Sequence, residues 1–275
     1  MTDATLPSKT YIFIDGSYFN YYRFYSVVRW WKIAYPDELL TDPINNPDFI
    51  AKFKETFLDT IKKIPKKLGL DKTCCPTILV GKDCKREDIW RTTLFDKYKT
   101  TRNDNRQLNG SAFFKMAYEE DLFLKGGVNQ IISYPTLEAD DCIAIYVKHL
   151  LEQKQNENIT IYIITSDKDY LQLLEPRVHI YNLAFKNILE QKSKLGDAKT
   201  ELFCKIVMGD ISDNISSVLK KCGPKTALKC YQNKDYFEER LKKEDAYEKL
   251  ELNTKLVDFN YIPEKLVTEF LEANL

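Results

Sequence analysis

Four short apolar runs in this chain each give way to acidic residues. YIFI (Tyr11–Ile14) stops at Asp15-Gly16, and PTILV (Pro76–Val80) runs through Gly-Lys to Asp83. VNQIIS (Val128–Ser133) is followed one turn later by Glu138, Asp140 and Asp141, and ITIYIIT (Ile159–Thr165) by Asp167 and Asp169. Unbroken apolar runs of this length read as strands buried on both faces. Helical patterns lie between them. An aromatic-rich stretch runs from Ser17 to about Ile33, and Asp48–Ile64 carries Phe49, Phe53, Phe57 and Ile61 at four-residue steps. Further helices are expected over Arg86–Tyr98, Ala112–Lys125 and Leu137–Gln153, with a short one near Tyr170. The alternation predicts an α/β fold with a largely parallel sheet wrapped by helices. From about Asp197 onward the pattern is helical only, which predicts an α/β domain over 1–196 and a helical subdomain over 197–275.

In a wound parallel sheet, ligands gather outside the carboxyl ends of the strands, where all these acids sit. Crowded carboxylates repel and persist only when something positive neutralises them. Hard oxygen ligands suit magnesium or manganese, and two such ions about 4 Å apart can activate water and stabilise a leaving oxygen. Only two histidines are present, His149 and His179, so acid–base or metal chemistry must rest on carboxylates. Any one of these acids could simply form a turn or cap a helix. Thr136 is expected to cap the helix that follows it, which frees Glu138, Asp140 and Asp141. Three acids in four positions exceed what capping requires.

The residues also resemble a known family, the 5′ nucleases that include flap endonucleases and the 5′ nuclease domains of bacterial DNA polymerases. Five blocks carry the resemblance in order: IFIDG (Ile12–Gly16), FDKYKTTR (Phe95–Arg102), EADD (Glu138–Asp141), TSDKDYLQLL (Thr165–Leu174) and GDISDNI (Gly209–Ile215). It runs from Tyr11 to about Pro263, and the length is most similar to the compact phage enzymes. It implies a PIN-like fold, with a helical arch at about 99–125 through which a 5′ single strand threads. It implies a first group of metal ligands at Asp15, Asp83, Glu138, Asp140 and Asp141, and a second at Asp167, Asp169, Asp210 and Asp213, with Asp141 between the two. The implied cofactors are two Mg2+ ions, for which Mn2+ substitutes. Tyr98, Lys99 and Arg102 match the base of the arch. Lys99 and Arg102 are expected on one helix face, where their charge would stabilise the transition state. Arg106 is a further expected phosphate contact.

Downstream, SDNISSVLKKCGPKTALKC resembles the family's helix–turn–helix element, which grips duplex DNA without reading sequence. Pro224 would open a helix whose backbone N–H groups meet a phosphate, beside Gly223, Lys225, Thr226, Lys220 and Lys221. The family's turn can also hold K+. Here ISSVLKKCGPKTA is one residue longer than the usual pattern and keeps only Gly223.

The resemblance implies a hydrolase acting on branched DNA with a 5′ flap and on 5′ ends, and on RNA–DNA hybrids, in replication or repair. The alternatives are an RNA-processing nuclease of the wider acid-pocket group and a catalytically silent DNA-junction binder. The first generally lacks the GDISDNI-to-GPKTA element, and the second would show lost carboxylates. A dinucleotide-binding reading fails for want of a Gly-rich loop after the first strand. Equal numbers of basic and acidic residues, 41 each, argue against nucleic acid. Setting the nine site acids aside leaves 41 − 32 = +9 for the remainder. No run approaches the length of a membrane span, and the start lacks a signal pattern, so a cytoplasmic, unsecreted monomer is expected. Seven cysteines without CxxC pairing are expected to be buried and reduced.

Overall fold

The first apolar run becomes β1 (Lys9–Asp15), the central strand of a five-stranded sheet that is parallel throughout. The computed structural model describes residues 9–71, 73–100, 110–153, 158–190 and 195–275. Around β1 lie β2 (Thr77–Gly81), β3 (Gln130–Ile132), β4 (Ile159–Ile164) and β5 (Val178–Tyr181), in the order β3-β2-β1-β4-β5. The register levels the strand ends: Asp15 pairs with Gly81, Gly81 with Ile132, and Ile14 with Ile164. Residues that follow those ends therefore emerge at one height. β5, absent from the expected strands, is a four-residue edge strand with alternating burial.

Side-chain alternation along β1 feeds two cores. Ile12 and Ile14 face α1 (Gly16–Ala34), α2 (Pro47–Lys67), α3 (Ser111–Glu119) and α4 (Leu122–Lys125). Phe49, Phe53, Phe57 and Ile61 are fully buried in this layer, each worth roughly 1.5–3 kcal/mol of transfer free energy. Phe13 faces the opposite layer, built on α5 (Ala139–Glu152). The helical part comprises α6 (Ala198–Met208), α7 (Pro224–Gln232), α8 (Lys234–Glu244) and α9 (Tyr247–Val257). Cys204, Val207, Leu219, Ala227, Cys230 and Leu241 form its own small core. The last helix, α10 (Glu264–Asn274), returns to the α/β core through Phe270, so it stands apart from the helical unit expected over 197–275.

Three local expectations are corrected. Arg86–Tyr98 is not one helix but two 3-10 turns, Arg86–Asp88 and Trp90–Thr93. Trp90 and Arg91 are drawn inward there, and the Trp90 N–H bonds to the Thr136 carbonyl. The helix expected over Ala112–Lys125 breaks at Asp121, which adopts a left-handed conformation (φ 55°). Among the cysteines, all without disulfides, only Cys142, Cys204 and Cys230 are buried, while Cys75 is exposed and Cys74, Cys84 and Cys222 are half-buried. No described helix is long and apolar enough to cross a membrane.

Candidate active site

Beyond the levelled strand ends lies a cavity of about 200 Å³. Eight of the nine expected acids line it: Asp15, Asp83, Glu138, Asp140, Asp167, Asp169, Asp210 and Asp213. Lys99 and Lys205 line it too. Asp141 does not, and is fully buried behind it.

Capping and site-building turn out to be compatible duties. Asp15 caps α1 by accepting from the Tyr18 N–H (3.0 Å), while Thr165 Oγ1 donates to its other oxygen (3.1 Å). Gly16 opens that helix so close to β2 that a Cβ would lie 2.5 Å from the Gly81 carbonyl oxygen. Asp83 accepts from the Ala139 N–H at the start of α5 (2.8 Å) and from the Ser17 hydroxyl. Asp167 and Asp210 each cap a 3-10 turn, through the Asp169 N–H (2.9 Å) and the Ser212 N–H (2.8 Å). Glu138, not Thr136, caps α5, in a reciprocal capping box with Asp141. These backbone bonds hold Asp15, Asp83, Glu138, Asp167 and Asp210 at a strand end or turn while each still lines the cavity.

Lys99 sits where the two acid groups meet. Its ammonium pairs with Glu138 and lies 3.9 Å from Asp213. It occupies a turn rather than the expected helix face, with left-handed backbone (φ 56°). That conformation costs about 1–3 kcal/mol in a non-glycine residue and must be imposed by contacts. Those contacts are visible: the Lys99 N–H bonds to the Asp213 carbonyl (3.0 Å), and Asn214 Nδ2 donates to the Lys97 carbonyl (3.0 Å). The Tyr98 hydroxyl lies 3.1 Å from Glu138 and 3.5 Å from Asp213. Burial and the neighbouring carboxylates push that phenol far up, so it donates. Arg102 and Arg106 lie outside the described residues.

Lys205 was not anticipated. It projects from the last turn of α6, where nothing in FCKIVMGD distinguishes it from a solvated lysine. Its ammonium lies 2.5 Å from Asp169 and 3.0 Å from Asp210. Burial works against that charge, but Asp169, Asp167 and Asp210 outweigh it and hold the lysine firmly protonated.

Two ammonium groups do not balance eight carboxylates. Burial, then the neighbouring Asp83, Asp167 and Asp140, push Asp15 up to about 7. Burial lifts Glu138 to about 7 despite Lys99 and Arg91. Burial and Asp167 lift Asp169 to about 7 despite Lys205. Asp210 is the exception: burial would raise it, but Lys205 and Ser212 hold it down to about 2. Oxygen-only donors that retain protons for want of positive charge suit hard divalent cations. One ligand atom from each of Glu138, Asp140 and Asp141 lies within 4.8 Å of the others. Both Asp141 oxygens, however, already accept from Arg91, which removes Asp141 from the cavity-facing set.

A cleft adjoins the cavity and leads past Asp169, Lys205 and Ile211 to Gly223 and Pro224 at the start of α7. Gly223 caps that helix without a side-chain bond, and Lys220, Lys221, Gly223 and Lys225 are exposed, with Thr226 half-buried. Within this turn Lys221 adopts left-handed geometry (φ 52°). The turn is pinned by Arg240, whose Nη2 donates to the Lys220 carbonyl (3.0 Å), and by Glu244, which accepts from the Lys220 N–H (2.7 Å). The carbonyls of Ser216 and Leu219 are also engaged, by Asn253 and Ser217.

The family described as 5′-3′ exonuclease, N-terminal resolvase-like domain, matches residues 10–201. The chain is 26% identical to ribonuclease H of Enterobacteria phage T4 over 262 residues, covering 87% of this chain and 82% of that one. It is 32% identical to a 5′-3′ exonuclease of Buchnera aphidicola subsp. Schizaphis graminum over 146 residues, covering 50% and 47%. Its backbone superposes on the bacteriophage T5 D15 flap endonuclease, solved as a complex with DNA and metal ions. The TM-score is 0.63 at 17% identity, covering 96% and 97% of the two chains. A family match over more than half of the chain, which includes six of the eight acids that the fold brings to one cavity, is membership: this chain belongs to the 5′-3′ exonuclease family and is a 5′ nuclease.

Proposed function

We propose that the chain cuts branched DNA near the junction of a 5′ flap, and removes nucleotides from 5′ ends, using two Mg2+ ions for which Mn2+ can substitute. The observation that carries this reading is the convergence of eight carboxylates, from four strand ends and the Asp210–Asp213 turn, on one cavity. Asp15, Asp83, Glu138 and Asp140 would hold one ion, and Asp167, Asp169, Asp210 and Asp213 the other. When bound, such ions supply a water nucleophile at neutral pH and neutralise charge on the leaving oxygen.

The chain's own residues do the rest. Lys99 is held by Glu138 and Asp213 only while those carboxylates lack a better cation. A cation held by those carboxylates would compete for this ammonium, which lies where it would stabilise developing charge on a phosphate at the junction of the two groups. Tyr98 keeps Glu138 oriented through its hydroxyl. Arg102 and Arg106 are assigned to the same strand as phosphate contacts. The cleft from Asp169 to Gly223 leads duplex toward the start of α7, where Lys220, Lys221, Lys225 and the N–H groups near Thr226 meet the backbone. This grip reads no base edges, consistent with selection by shape. The likeness to a phage ribonuclease H extends the reading to RNA on a DNA template. The protein acts as a monomer in DNA replication or repair.

The test is a 5′-labelled flap incubated with Mg2+. Cutting close to the branch, abolished by chelator, is expected. Tight junction binding without cleavage in either Mg2+ or Mn2+ would reject it. Asp167→Asn should cost at least 100-fold in turnover and far less in DNA affinity; the reverse would unseat Asp167 as an ion ligand.

A further inference from the structure

Arg91 is a fully buried arginine directly behind the acid cavity. Its Nη1 donates to Asp141 (2.8 Å) and Glu138 (3.0 Å), and its Nη2 donates to the second Asp141 oxygen (2.7 Å). Its Nε donates to the Leu256 carbonyl (2.8 Å) in α9. The guanidinium lies 4.6 Å from the Trp90 ring centre, and the Trp90 indole N–H donates to Asp141 as well (2.9 Å). The Glu138 N–H adds a further bond to the same Asp141 oxygen (3.2 Å). Both Asp141 oxygens are therefore committed to donors at ligand distance. An ion bound there would have to displace a forked pair in a site without solvent, where an unpaired charge is costly.

Glu138 is treated differently. One oxygen accepts from Arg91 and Tyr98, while the other faces Lys99 and the cavity. Arg91 thus holds one edge of this carboxylate and presents the other. Through Leu256 the same guanidinium ties α9 to the start of α5.

We infer that Arg91 is a positioning residue for the ion site: Asp141 is its permanent counter-ion rather than a metal ligand, and its fork sets the carboxylate of Glu138. The inference rests on the divalent-ion reading above. Partners that orient metal ligands typically change metal affinity or activity about 10–100-fold when removed.

The experiment combines Mg2+ binding by calorimetry, thermal unfolding in chelator, and kcat and KM on a flap. It uses Arg91→Lys, Asp141→Asn, Asp140→Asn and the paired Arg91→Gln/Asp141→Asn, which keeps a neutral hydrogen bond if the single variants unfold. Asp140→Asn should weaken Mg2+ binding about tenfold or more, whereas Asp141→Asn should lower the unfolding temperature and leave affinity within about threefold. Arg91→Lys should keep KM while lowering kcat and weakening Mg2+ binding about tenfold, because the charge stays and the fork is lost. Equal Mg2+ losses in Asp140→Asn and Asp141→Asn, or a paired variant that loses clearly more Mg2+ affinity than Arg91→Lys, would overturn the counter-ion assignment. A lowered unfolding temperature in Arg91→Lys with kcat and Mg2+ affinity unchanged would overturn the positioning role. If the unaltered chain binds no ion, the divalent-ion reading falls. Non-additive unfolding temperatures of the Arg91 and Asp141 variants would still report their pairing, and additive ones would refute it.

Discussion

Raising the pH should destabilise the ion-free protein, opposite to the usual behaviour of buried carboxylates paired with cations. Asp15 carries the magnitude. It is 9% exposed and moves from 3.8 to about 7, chiefly because burial disfavours its charge. A folded-state value above the unfolded one means that the native protein binds the extra proton. Its contribution is complete below pH 3.8 and is lost as pH rises through about 7. About three pH units at ~1.4 kcal/mol each give ~4 kcal/mol for this group alone. Glu138 and Asp169 shift in the same direction, while Asp210, lowered to about 2, matters only at more acidic pH. In a chain of this size ~4 kcal/mol corresponds to roughly 10 °C in the unfolding midpoint. The assay is thermal unfolding from pH 4 to 7.5 in chelator and in Mg2+. The midpoint should fall with pH in chelator and flatten or rise in Mg2+, because ions replace the retained protons. A midpoint in chelator that climbs across this window would refute the charge-crowding argument.

Three further outcomes follow from individual contacts. Lys99→Ala should lower kcat on a flap by about 100-fold with a much smaller change in DNA affinity, measured by single-turnover cleavage and by binding in Ca2+. Lys205→Met removes the ammonium between Asp169 and Asp210. It should cost roughly 1–3 kcal/mol of stability in chelator, discounted for partial exposure, and less in saturating Mg2+. Gly209→Ala should cost roughly 2 kcal/mol or more in urea unfolding: Gly209 has φ 73°, and a Cβ there would lie 2.4 Å from the Ile215 carbonyl oxygen.

The strand ends were legible because a run such as YIFID records burial and its abrupt end in a few adjacent residues, and the register then places those ends side by side. The acids followed from the strands. Cations were harder to read. Lys205 looks like any helical lysine, and Arg91 lies in WRTTLF, where a helical reading spreads its neighbours over several faces. Their roles depend on which carboxylate the fold brings opposite, and no local period encodes that. The Thr136 expectation failed for a related reason. Glu138 seemed to face a choice between capping and site duty, yet a carboxylate has two oxygens and enough lone pairs for both. β5 was missed because four residues with a histidine among them carry little periodic signal, and its pairing with β4 supplies what its composition lacks.

The placement of the two cavity lysines explains how so many acids survive folding before any ion arrives. Each lysine bridges carboxylates that belong to different parts of the chain. Lys99 meets Glu138 at the start of α5 and Asp213 from the helical part, while Lys205 in α6 meets Asp169 in the turn after β4 and Asp210 from its own region. Neither half holds a balanced site alone. The α/β part would keep its strand-end acids without Lys205, and the helical part would keep Asp210 and Asp213 without Lys99. The backbone bond from Lys99 to Asp213 and the amide bond from Asn214 to Lys97 lock the halves at that junction. An equal count of acids and bases in the whole chain is then consistent with a basic DNA track, because most of the crowded acids are sequestered at one seam. The two lysines thus supply, at the seam itself, part of the positive charge that the crowded acids require.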